Sequence, residues 1–283
     1  MNHYRSAAGA TAVQQRYREI LAAWPVPSRQ FTIPTRAGDT FVVASGPEDA
    51  PPVIALQGSG ANAAYWLRQI PTWSQHLRVY AVDVPGEPGL STPDRPTLAS
   101  GTYSAWLGDV QDALGLTHTA LAGISLGGWI ATSYATEHPE RVTRVALISP
   151  SGIGPVRPRF LLTALLLRPF GEWGLRRTLR IALGPAVRTS GTDPSFALLV
   201  ARNFRPRHER IPTFTDGQLR RLTMPVLAVL GAQDALLDSG HTVRRIGANV
   251  PRATIVLAQD AGHHLPDQTT AAVAFLQGGG RDG

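Results

Sequence analysis

Gly123-Ile124-Ser125-Leu126-Gly127 sets one hydroxyl between two residues that lack a Cβ, where the apolar run TALAGI gives way to the helical run WIATSYATEH. Gly-x-Ser-x-Gly in a strand-turn-helix setting exposes its serine as a nucleophile. A turn that sharp strains the serine backbone, and side chains two residues to either side would collide with it. The helix that follows aims its first N–H groups at the same spot, where they favour negative charge. A Gly-rich turn can also cradle phosphate, but this chain has neither Gly-x-Gly-x-x-Gly nor Gly-Lys-Ser/Thr. A serine hydroxyl attacks carbon only when a histidine takes its proton, and that histidine needs a carboxylate on its other ring nitrogen to fix the tautomer. Asp234 follows the apolar run VLAVLG, and His263 follows ATIVLA. Both project from the same sheet edge as Ser125 if these strands run parallel. Asp238 is the alternative acid, with Asp234 then capping a helix, and His264 is the alternative base. His76, His118, His138 and His241 fall at loops or helix ends and are read as surface or capping residues.

The elements that must carry these groups follow from hydrophobic periodicity. Residues 11–24 have helical spacing, with Val13, Tyr17, Ile20, Leu21 and Trp24 on one face, and Pro25 and Pro27 end the run. FTIPT and TFVVASG, joined by Ala37-Gly38-Asp39, predict an antiparallel hairpin. VIALQ, RVYAVDV, TALAGI, RVALIS, VLAVLG and ATIVLA then alternate with helical segments. Near-continuous apolar strands separated by helices imply a parallel sheet covered on both faces. The expected fold is therefore α/β, a doubly wound, mostly parallel sheet with the hairpin at its leading edge. The interval between RVALIS and VLAVLG is too long for one crossover helix. It contains LLTALLL, LRRTLRIAL and FALLVARNF, which predict a helical cap over 151–223, inserted after the sixth strand, on a core of 1–150 and 224–283. The tail GGGRDG is read as mobile.

Composition narrows the functional classes. The chain has no cysteine, which excludes disulfides, thiolate nucleophiles and Cys-ligated zinc. Its net charge of +7 is carried by arginine alone. Thirteen arginines between 150 and 223, Arg188 among them, stand against Glu172, Asp193, Glu209 and Asp216, so this segment is +9 and the remainder −2. Some of these arginines could bind an anionic substrate group, or they form the solvated outer face of amphipathic helices. Nucleic-acid binding would need interleaved aromatics and a recognisable module, and neither is present. No run approaches the twenty or so apolar residues of a membrane helix, so stable membrane insertion is not expected. LLTALLLRPF suits interfacial contact or the apolar underside of a lid equally well. With no apolar signal near Met1, a cytoplasmic location is the default.

Taken with their order Ser, Asp, His, these motifs resemble the α/β-hydrolase family over nearly the whole chain, in particular its bacterial carboxylesterase-like members. In that family the acid follows the strand after the cap and the histidine sits directly after glycine in the last loop, which favours Asp234 and His263. Gln57-Gly58-Ser59-Gly60 resembles the His-Gly-x loop that supplies one oxyanion donor, with glutamine where histidine is usual. Since the donor is a backbone N–H, the resemblance assigns it to Ser59, with the N–H of Leu126 as the second. Asp83-Val84-Pro85-Gly86-Glu87-Pro88-Gly89-Leu90-Ser91 resembles the family's Asp-x-x-Gly-x-Gly-x-Ser loop. It is read as structural, and no metal site is expected. The implied activity is hydrolysis of a small carboxylic ester through an acyl-enzyme without a cofactor, with a homodimer allowed. Gly58-Ser59-Gly60-Ala61-Asn62 also resembles hydrolases of ring-cleavage diketones. Lactonase, thioesterase and acyltransferase chemistry share the triad, and a binding protein that retains it remains an alternative.

Overall fold

The computed structural model describes residues 3–184, 193–265 and 269–278; Arg188 and the tail beyond Gly278 lie outside them. Helix α1 (Ala7–Ala22) begins before the apolar spacing does, because Ser6 caps it: the Ser6 hydroxyl accepts the Gly9 N–H at 3.0 Å. The chain then forms strands β1 (Ser28–Ile33), β2 (Thr40–Ser45) and β3 (Pro52–Leu56), helix α2 (Ile70–Trp73), β4 (Arg78–Val82), α3 (Thr102–Ala113), β5 (Thr119–Ile124), α4 (Leu126–Glu137) and β6 (Val142–Ile148). Helices α5 (Pro158–Leu167), α6 (Gly171–Leu183), α7 (Pro194–Asn203) and α8 (Asp216–Arg220) precede β7 (Val226–Gly231), α9 (Ser239–Asn249), β8 (Ala253–Ala258) and α10 (Thr269–Leu276).

The eight strands form one sheet in the order β1-β2-β4-β3-β5-β6-β7-β8. Strand β2 runs antiparallel to β1 and β4, and all other neighbours are parallel. This is the expected doubly wound sheet with its hairpin at one edge. Side chains alternate across it. Val53 and Ala55 enter a core with α1, α2, α7 and α10, whereas Ile54 and Leu56 enter a second core with α3, α4, α8 and α9. Each large side chain buried this way contributes roughly 1.5–3 kcal/mol.

The excursion between β6 and β7 is not uniform. Phe196 and Val200 of α7 are core residues, and the Phe196 ring stacks on that of Tyr17 at 6.3 Å. Leu219 of α8 is buried in the second core. Helices α5 and α6 differ: Leu161, Leu162, Leu165, Leu166, Phe170 and Trp173 are all 57–63% exposed. Among the described residues no helix is long and apolar enough to cross a membrane.

Candidate active site

Ser125 sits at the tip of the β5–α4 turn with φ 52° and ψ −112°, a left-handed backbone on a residue that has a side chain. Such strain persists only where the surroundings enforce it. Here they do. A Cβ on Gly127 would collide with the Leu56 carbonyl oxygen, and one on Gly123 would lie 2.5 Å from the Gly127 carbonyl. Both glycines are therefore required for the turn to fold against β3. Its ends are fixed to the neighbouring strand, since Ser125 N–H donates to Ile148 O and Ser151 N–H donates to Ser125 O, each at 3.1 Å.

Asp234 and His263 meet as the strand positions predict. His263 Nδ1 lies 2.7 Å from Asp234 Oδ2, both residues being buried. The second carboxylate oxygen of Asp234 accepts the N–H groups of Leu236 at 2.7 Å and Leu237 at 3.0 Å. Both carboxylate oxygens are thus partnered, and with Nδ1–H donated to Oδ2 the imidazole presents Nε2 as an acceptor. The loop bearing His263 is pinned by Ser149, whose hydroxyl donates to His263 O at 3.0 Å. Gly231 is needed where β7 passes that loop, because a Cβ there would run into Gly262 O. Asp238 is not part of this cluster: it caps α9 by accepting the His241 N–H at 2.9 Å. His264 is buried beside Tyr65, with ring centroids 5.6 Å apart, and its Nδ1 has no partner. Burial, with His263 adding to it, pushes the His264 imidazole down to about 3, so it stays neutral. His76 and His118 are exposed, and His138 closes α4.

Ser125 Oγ lies 3.3 Å from Ser151 Oγ, and among the described residues no hydrogen bond joins it to His263. Catalytic hydrogen bonds often tighten only when substrate is bound. Ser149 and Ser151 were not singled out from sequence. They lie immediately past the C-terminal end of β6, the same kind of position that nominated Asp234 and His263, and that signal was available.

The loop after β3 approaches the serine closely: a Cβ on Gly58 would lie 3.4 Å from that of Ser125. Neither Ser59 N–H nor Leu126 N–H has a hydrogen-bond partner among the described residues. Gln57 replaces histidine without disturbing the loop. With its amide oriented to suit both neighbours, it donates to Val82 O at 2.6 Å and accepts from Val84 N at 2.7 Å. Asp83 is a buried tie, accepting from Tyr17 OH at 2.9 Å, Ala63 N at 2.8 Å and Leu90 N at 2.7 Å. Burial raises its carboxyl to about 6 despite those donors. No group of three or more His, Asp or Glu that could hold a metal occurs among the described residues. A small concavity of about 60 Å³ adjoins the loop, lined by Gly60, Asn62, Tyr65, Phe196 and Val200. Larger ones of about 710 and 750 Å³ run along α6 and α7 and touch none of Ser125, Asp234 and His263.

Three comparisons bear on this arrangement. The family model for the α/β hydrolase fold matches residues 51–198. An uncharacterized carboxylesterase, nap, of Bacillus subtilis (strain 168) is 34% identical over 259 residues, covering 89% of this chain and 86% of its own length. The crystal structure of carboxylesterase CesB (YbfK) from Bacillus subtilis superposes with a TM-score of 0.83 at 30% identity, covering 97% of this chain and 100% of that one. That of naproxen esterase (carboxylesterase NP) from the same organism gives 0.82 at 31% identity, over 96% of this chain and 98% of that one.

Proposed function

The chain belongs to the α/β-hydrolase fold family, and from that premise we propose that it is a serine esterase cleaving a carboxylic ester of a small to medium-sized substrate through an acyl-enzyme. Carboxylesterase relatives matched over nearly their full length support ester hydrolysis. The observation that carries the residue-level reading is the buried His263–Asp234 pair, 2.7 Å apart, at the sheet edge that also bears the strained Ser125.

In this reading Ser125 Oγ attacks the ester carbonyl while His263 Nε2 takes its proton, and Asp234 stabilises the imidazolium so formed. The negative charge that develops on the carbonyl oxygen is met by the N–H groups of Ser59 and Leu126, which carry no competing partner. His263 returns its proton to the departing alcohol. A water, deprotonated by the same nitrogen, then releases the acid and restores Ser125. The reaction needs no cofactor. Within residues 151–223, helices α5 and α6 act as the cap over the core of 1–150 and 224–283, to which α7 and α8 add, and the sequence of that cap sets which ester is accepted. The Gly-Ser-Gly-Ala-Asn run supplies no separate argument for carbon–carbon cleavage. Asn62 donates to Pro88 O at 2.9 Å and accepts from Ala64 N at 3.2 Å, so turn formation already accounts for it.

The test is a hydrolysis panel of p-nitrophenyl esters, lactones, thioesters and diketones, with Ser125→Ala as control. Esters should be the best substrates, and Ser125→Ala should lower turnover by roughly a thousandfold or more. A fluorophosphonate should label Ser125 alone. Undiminished turnover by Ser125→Ala, or labelling elsewhere, would discard the assignment.

A further inference from the structure

Behind the loop that carries Ser59 lies a carboxylate that the proposed chemistry does not use. Glu87 is 4% exposed, and its Oε2 accepts the Gly60 N–H at 2.7 Å and the Ser59 hydroxyl at 3.3 Å. Burial pushes the Glu87 carboxyl up, while these donors and nearby arginines pull it back. A buried carboxylate is tolerated only if it is paired. Its counter-charges are Arg95 and a second arginine 120 residues away. The Arg207 side chain is 5% exposed, and its Nε lies 4.0 Å from Glu87 Oε1. Neither of those two buried atoms has a hydrogen-bond partner of its own.

Arg207 is itself held from several sides. It donates to Glu209 Oε2 and to Tyr103 OH, each at 2.6 Å, and to Pro96 O at 3.1 Å. Its guanidinium lies 5.4 Å from the centre of the Tyr103 ring. Arg95 fastens the same neighbourhood by donating to Gly86 O at 2.9 Å and Arg205 O at 3.2 Å. Glu87 is therefore the point where the Ser59–Gly60 backbone meets the segment that follows α7 and leads back to the sheet. This arginine, counted from sequence among those that face either substrate or solvent, does neither.

We propose that Glu87 and Arg207 are a positioning pair for the oxyanion loop: Glu87 anchors the Ser59–Gly60 backbone so that the Ser59 N–H meets the developing oxyanion, and Arg207, facing the second carboxylate oxygen, ties that alignment to the chain returning from the helical excursion. The inference rests on the esterase reading above. An oxyanion donor acts on the transition state more than on the bound ester, so misaligning it lowers kcat and leaves KM nearly unchanged.

Glu87→Gln keeps the shape and an acceptor for Gly60 but removes the charge, leaving Arg207 paired with Glu209 alone. Turnover per active site of a p-nitrophenyl ester should fall roughly 10- to 100-fold, with KM within about twofold. Adding Arg207→Met removes the other half of the pair, and since the two act as one unit the double variant should fall no more than about threefold below Glu87→Gln. Arg207→Lys, which keeps the charge and loses the fork, supplies a second single variant should Glu87→Gln fold poorly, and should show the same kcat-only loss. Active sites are counted by fluorophosphonate titration, so unfolded protein does not contribute. A Glu87→Gln or Arg207→Lys enzyme with unchanged kcat overturns the proposal, as does a change confined to KM or a double variant more than about threefold below Glu87→Gln. Failure of the esterase reading is separately visible, because Ser125→Ala would then stay active.

Discussion

The strand ends and the α5–α6 pair are built on opposite terms. At the ends of β5, β6, β7 and β8 the backbone is crowded enough that a single Cβ at Gly127 or Gly231 has nowhere to go. The Asp234 carboxylate has every lone-pair direction that matters engaged. On α5 no residue is buried, and four leucines face outward. The contrast separates two jobs. The geometry of the proposed site is over-determined by the sheet, whereas α5 gives the cores no buried side chain.

Four variants would break or sharpen that contrast. Asp234→Asn should have the largest effect, lowering kcat about ten-thousandfold at nearly unchanged melting temperature, since it leaves the shape and disturbs the tautomer; steady-state kinetics beside a thermal melt separate the two. Gly127→Ala comes next and acts on the fold itself: driving a methyl group into the Leu56 carbonyl should cost about 4 kcal/mol or more, read by urea denaturation. If that variant were as stable as the parent, the crowding at the strand ends would not be what fixes the elbow.

His264→Phe tests the same crowding through pH. Held neutral down to about 3 in the folded chain, His264 takes up its proton only on unfolding, where its ordinary value is 6.5. Below pH 6.5 the unfolded state therefore binds the extra proton, and stability falls as the pH drops. Between pH 7 and pH 5 this linkage amounts to about 2 kcal/mol, and replacing the imidazole by a benzene ring should remove it, flattening the dependence of the melting temperature over that interval. Asp83 slopes the other way. Its carboxyl, raised from 3.8 to about 6, makes the folded state the better proton binder between those values, so its contribution declines as pH rises through them. The smallest effect belongs to α5: Leu162→Ser with Leu166→Ser should change stability by no more than about 0.5 kcal/mol. A large loss would mean that those leucines are covered in solution.

Much of the scaffold was legible in the sequence because it rests on local patterns. Short, near-continuous apolar runs marked the parallel strands, and the two glycines flanking Ser125 marked the turn. Asp234 and His263 could be nominated because a parallel sheet delivers the residues after each strand to one edge. What escaped depends on partners far apart in the chain. Glu87 and Arg207 are 120 residues from one another, and nothing in a count of arginines distinguishes the one that is buried from its exposed neighbours. Gln57 looked like a departure from the family's histidine, and only the adjacency of β3 and β4 shows its amide bonding Val82 and Val84. The helical excursion read as one unit, yet α7 and α8 contribute to the cores, because an amphipathic stripe does not say which surface it will meet.

Tyr17 carries a consequence for how the molecule comes into being. Its hydroxyl binds Asp83, 66 residues downstream, and its ring stacks on Phe196, so α1 finds its polar anchor and its apolar neighbour only once those later residues have been made. During translation α1 must therefore wait, its apolar face uncovered, while the sheet is laid down behind it. Helix α7, made long after α1, completes the packing around it.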